Sequence, residues 1–146
     1  MSLVTPQIRA SADSCYGDAI CHEQIKLKLI EMGLPNGLFA VKDIEECGFV
    51  KDTGFVWIKL KKPSKHNHKI IGKISSYATE VTGYMEKFKI KKVTGVKSKE
   101  LLVSKVNEAS IDDPSSGKIT FKALSGLHRS FPVSAFVVKD AQVKEV

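Results

Sequence analysis

With 146 residues, 42% of them apolar and 27% charged, the chain has the makeup of one ordinary globular domain and is long enough to bury a core. Its net charge of +7 favours encounters with anionic partners. That charge rests on 21 lysines and two arginines, which argues against specific nucleic-acid recognition, because arginine supplies the bidentate contacts that lysine lacks.

In chain order, residues 1–17 read as a flexible lead-in whose polar start, "MSLVTPQIRASADS", lacks the apolar stretch of a secretory signal. A helix is predicted over 18–32, stopped by Gly33 and Pro35. Ile25, Leu29 and Met32 share one of its faces while Leu27 and Ile30 fall on another, so packing on two sides is expected. From about residue 44 to 136 the texture is that of short strands. "IEECGFV" and "FVWIKL" flank the turn "KDTG" and predict a hairpin. "KIIGKISSY", "TEVTGYME" and "FKIKKV" follow, and "LLVSKVNEASI" leads through "DDPSSG" to "KITFKAL". Ser125–Gly126 reads as a two-residue loop joining that strand to "LHRSF". Residues 139–146 form a tail, so 18–138 is the expected globular domain. The fold class is mainly β: an antiparallel meander forming a barrel or roll, with one N-terminal helix.

Charge is unevenly spread. From Lys59 to Lys105, thirteen lysines stand against three acids, a local balance of +10, while the rest of the chain carries −3. In "FKIK", Phe88 and Ile90 alternate with Lys89 and Lys91, and Ile119 and Phe121 alternate with lysines in "KITFKA". Period-two alternation sends the apolar set to the core and the lysines to solvent. The basic segment is therefore a wet strand face, with weak contact to an anionic surface through Lys87, Lys89, Lys91 and Lys92 as the partner expectation.

Catalytic and metal signatures are weak. There is no Gly-x-Ser-x-Gly elbow, and "SSGKIT" lacks the glycine spacing of a phosphate loop. Cys47 could act as a nucleophile if the fold brought His128 to it, against the commoner reading as a structural cysteine. His66 and His68 would point the same way on a strand, but no Cys-x-x-Cys accompanies them, and Cys21–His22 is adjacent rather than spaced. No catalytic residue, metal ligand or cofactor is assigned. Three cysteines, Cys15, Cys21 and Cys47, cannot all pair within one chain, which points to a reduced, cytoplasmic protein. No apolar run is long enough to span a bilayer. Trp57, Tyr77, Tyr84, Phe88, Phe121, Phe131 and Phe136 either line a cavity or fill the core. Of these, Trp57, Tyr84, Phe88, Phe121 and Phe131 are the ligand-binding candidates for a lipid or other apolar small molecule.

The stretches "LPNGLFAVKD", "TGFVWIK", "TEVTGYMEK", "KIKKVTGVKSKELL", "SIDDPSSGKITFK" and "GLHRSFPVSAF" resemble, from about Leu34 to Phe136, the plant family catalogued as domain of unknown function 538. The resemblance implies a mainly β barrel or roll with N-terminal helical structure. It also implies a distant likeness to bactericidal/permeability-increasing lipid-binding proteins, chlorophyll-related binding or hydrolysis, and a place in stress or developmental responses. The chain departs from the family pattern at Phe39 and Ala40, where "LPxGLLP" is usual, and at Phe88, where glycine usually follows "EK". "ELLVSKVNEAS" runs one residue short, lacks a tryptophan, and puts Lys105 in an expected central strand. The functional expectation is non-enzymatic binding of an apolar molecule. The alternatives are an esterase-type hydrolase and a protein-interaction module.

Overall fold

The computed structural model describes residues 2–68, 72–98 and 104–138, so the expectation for the 139–146 tail lies outside the described residues. Two helices, α1 (Pro6–Ser11) and α2 (Asp18–Glu31), accompany nine strands: β1 (Asp13–Tyr16), β2 (Ile44–Phe49), β3 (Phe55–Leu60), β4 (Ser64–His68), β5 (Lys73–Glu86), β6 (Lys89–Ser98), β7 (Ser104–Ser110), β8 (Lys118–Ala123) and β9 (His128–Pro132). They form one antiparallel sheet in the order β1-β2-β3-β5-β6-β7-β8-β9, with β4 paired to β5 beside β3. The meander is as expected. Of the expected barrel or roll it is the roll that forms: β1 and β9 stand at opposite ends of the order, so the sheet is curled but not closed. β9 ends at Pro132, which has no N–H for a ladder, and the chain turns into a 3₁₀ turn at Val133–Phe136.

Residues 2–17 hold more structure than a lead-in. Thr5 caps α1 by accepting from Ile8 N at 3.2 Å, and Pro6 occupies the first turn, where its missing N–H is harmless. β1 then pairs with β2, setting Cys15 opposite Cys47. The helix α2 ends as its sequence suggests. Gly33, at φ 79°, lets Leu34 N–H reach Leu29 O at 2.9 Å and Gly33 N–H reach Ile30 O at 3.0 Å, a Schellman closure. Its packing is one-sided, however. Cys21, Ile25 and Leu29 enter the core, while Ile20, Leu27 and Ile30 are exposed.

The β2–β3 hairpin forms around Gly54, at φ 82°. The β8–β9 loop is longer than predicted: Gly126 N–H bonds Ala123 O at 2.9 Å, and Ala123 N–H bonds Leu127 O at 2.8 Å. That is a three-residue loop, with Gly126 at φ 93° in the left-handed position such a loop demands. Between β5 and β6 the register leaves Lys87 and Phe88 as the loop, so Phe88 is a turn residue at φ 61° and does not face the core in alternation with Ile90. Lys105, exposed at the start of β7, sits beside the register shifts of both neighbouring ladders.

One large cluster fills the inner face, from Ile44 and Ile58 through Val81 and Ile90 to Ala109 and Ile119, with α2 and Phe136 packed on it. A smaller one, Val4, Val50, Phe55 and Trp57, covers the outer face of β2, β3 and β5, with Ile8, Ala12 and Tyr84 at its margin. Here Glu46 is buried. Its Oε2 accepts from Trp57 Nε1 at 2.9 Å and from Arg9 of α1 at 2.5 Å. Burial works against its charge, but those two donors outweigh it and hold the carboxyl below its usual range.

Candidate functional site

α2 does not seal the inner face beneath it. A cavity of about 380 Å³ remains between the helix and strands β1, β2, β3 and β5. α2 contributes Ile20, Gln24, Ile25 and Lys28 at four-residue and neighbouring spacings; Phe39 comes from the connection to β2; Val56, Ile58, Val81 and Met85 rise from the sheet. Lys28 and Phe49 share the wall, and the ammonium lies 3.9 Å from the ring centroid. The same ammonium is 3.1 Å from Glu31. A second hollow of about 50 Å³ lies further along the curl, among Phe121, Phe131, Phe136, His68 and Tyr77. Phe39 and Ile90 border both.

The five aromatic candidates do not converge. Trp57 borders the larger cavity, but its side chain is 1% exposed within the outer cluster, and Tyr84 joins that cluster with its ring 5.2 Å from Phe55. Phe121 and Phe131 do meet, 6.0 Å apart, in the smaller hollow, which their rings and Phe136 nearly fill. Phe88 reaches neither; its ring lies against Gly33. What the sequence reading missed is the cavity's own lining. The four-residue series Ile20, Gln24, Lys28 on α2, together with Phe39 and Phe49, was its available signal.

Three of the four lysines of the expected anionic contact have local partners. Lys87 Nζ donates to Glu31 O at 3.1 Å at the end of α2, Lys91 pairs with Glu86 at 2.8 Å, and Lys92 lies 5.7 Å from the Tyr84 ring centre. Lys89 is half-buried at the start of β6.

At one end of the larger cavity three thiols meet. Cys15 of β1 and Cys47 of β2 line it, and Cys21 of α2 lies behind them. Cys15 Sγ is 3.1 Å from Cys47 Sγ and 3.6 Å from Cys21 Sγ. All three cysteines are free. Burial, the largest cause, pushes the Cys21 thiol up to about 11 and raises Cys47 also, so both are thiols at neutral pH. His128, the base a Cys47 nucleophile would need, is exposed on β9 at the far edge of the strand order. His22 turns to Asp18, 3.2 Å away. His66 and His68 do share a face, with ring centres 4.6 Å apart.

No helix among the described residues is long and apolar enough to cross a membrane. A family model described as "Protein of unknown function, DUF538" matches residues 25–137. No curated protein and no solved structure matches the chain.

Proposed function

The chain belongs to this family of unknown function, DUF538, and from that premise we propose that it binds an apolar small molecule, non-enzymatically, between α2 and the inner face of the sheet. The observation that carries the reading is the cavity itself. Its 380 Å³ falls within the roughly 300–1,000 Å³ typical of ligand sites. Its walls are mostly aliphatic and aromatic, with Asp13, Ser14, Gln24, Lys28 and Thr82 as the polar side chains among them, Lys28 the one cation. That combination suits a lipid-like molecule with a short apolar body and an anionic or polar end held by Lys28. A plant cytoplasmic setting and a role in stress or developmental responses belong to the same proposal, supported by the family resemblance and by three free cysteines. A second reading, a protein-interaction module, is supported by Ile20, Leu27 and Ile30, all exposed along α2.

A titration with a fluorescent fatty-acid analogue at low and high salt tests the proposal. Saturable binding at one per chain, persisting at high salt and accompanied by a negative heat-capacity change, is the expected result. Val56→Phe places a larger side chain into the cavity from β3 and should abolish binding while the fold survives. Binding that vanishes at high salt, or that ignores Val56→Phe, would mean adsorption to the lysine-rich surface instead.

A further inference from the structure

We propose that Cys15, Cys21 and Cys47 form a three-thiolate site for a divalent thiophilic cation, zinc by preference, whose fourth coordination position opens on the cavity. The inference does not rest on the apolar-ligand reading.

Three separate elements deliver the sulfurs to one point. β1 and β2 set Cys15 directly opposite Cys47, and the first turn of α2 brings Cys21 to the pair. The spacing, six residues and then twenty-six, is not that of a Cys-x-x-Cys motif, so the site exists only once β1 pairs with β2 and α2 lies across them. The sulfurs lie 3.1 and 3.6 Å apart for two of the pairs, and all within 4.8 Å of one another. A zinc–sulfur bond of about 2.3 Å in a tetrahedron requires sulfurs about 3.8 Å apart. Two separations fall less than 1 Å short of that value and the third exceeds it by no more than 1 Å, so small side-chain rotations suffice.

Ligand chemistry and charge choose the ion. An all-thiolate set selects soft, thiophilic cations over oxygen-seeking ones. Cys21 and Cys47 are buried, at 0% and 6% exposure, and uncompensated charge there is strongly disfavoured. Three thiolates with a divalent ion leave a net charge of about −1, one unit less than with a monovalent ion. Each thiol that coordinates gives its proton to solvent, so three protons leave as one cation enters. Because Cys15 and Cys47 also line the cavity, the remaining coordination position is reached from it. Water would fill that position, or a donor atom of whatever molecule occupies the space. A site with three protein ligands and one exchangeable position is the open type, as distinct from a closed structural zinc site.

The test uses the full-length, reduced protein and Cd²⁺, the spectroscopic stand-in for zinc. Titration should produce a sulfur-to-cadmium charge-transfer band that saturates at one equivalent, and Zn²⁺ should displace it. Loss of a ligand should exceed the cost of losing a supporting residue, so Cys15→Ser and Cys47→Ser should each weaken binding at least about 100-fold. Circular dichroism confirms the fold of each variant. Should Cys47→Ser fail to fold, Cys15→Ser, at the half-exposed position, decides alone. No band at stoichiometric Cd²⁺, or a band unchanged in Cys15→Ser, overturns the site. So does a single reactive thiol in protein denatured without reductant, which would reveal a disulfide between two of the three.

Discussion

At His68 a proton is strongly disfavoured. The side chain is 6% exposed, its ring centre lies 5.1 Å from that of Phe136 and 4.6 Å from that of His66, and Nε2 is 3.0 Å from Ser75 Oγ. Burial first, and then the neighbouring His66, lower its pKa to about 4. The unfolded chain protonates this histidine near pH 6.5, whereas the folded chain holds off until about 4. Stability from the neutral form is therefore complete above pH 6.5 and falls as pH drops from there to 4, by up to about 3 kcal/mol. Urea midpoints across that window should show the decline in the native sequence and a much flatter profile in His68→Gln. Equal slopes for the two proteins would mean that His68 accepts a proton in place.

Among the elements, the β5–β6 hairpin and the end of α2 are locked together at one contact. Phe88 holds φ 61°, a conformation that strains an aromatic residue, and keeps it because its N–H bonds Met32 O at 2.7 Å and its carbonyl accepts from Ile111 N at 2.8 Å. The ring lies so close to Gly33 that a Cβ there would sit 2.5 Å from Phe88 Cε1. Glycine would fit this φ without strain; phenylalanine exchanges that ease for cover over the helix terminus. Gly33→Ala should cost about 1 kcal/mol for its φ of 79° and more for the clash. In a Phe88→Gly background only the first part should remain, giving a coupling of at least about 1 kcal/mol in a double-mutant cycle. Strict additivity would show that the ring moves aside freely.

For the molecule as a whole, the N-terminal segment serves as a cover for the outer face. Val4, Ile8 and Ala12 pack on Phe55 and Trp57, Arg9 reaches Glu46, and Ser2 Oγ and Leu3 N donate to Glu80. The centre of the sheet is thus apolar on both faces, with α2 over one and α1 over the other. Removing residues 2–12 should expose Trp57 and shift its emission to the red. Arg9→Met should keep the emission while lowering stability by about 1–2 kcal/mol, since Arg9 is partly exposed and the loss is screened. Unchanged emission in the truncated chain would mean that another segment covers Trp57.

Local chemistry alone determined the class, the β2–β3 hairpin, the limits of α2 and the alternation in β8, because turn residues, caps and period-two patterns act over a few neighbours. The same chemistry held the signal for α1 in "TPQIRAS", a Thr–Pro start whose shortness concealed it. Where alternation crossed a turn it failed: Phe88 counts as inward beside Ile90 only if the strand runs on, and the hairpin loop intervenes. Trp57 was legible as buried in a central strand but not as to side, since β3 is apolar on both faces and only the placement of α1 tells them apart. The cavity under α2 and the meeting of Cys15, Cys21 and Cys47 depend on how a helix lies across a curled sheet. That is decided by packing between segments far apart in the chain, over distances at which no periodicity carries information.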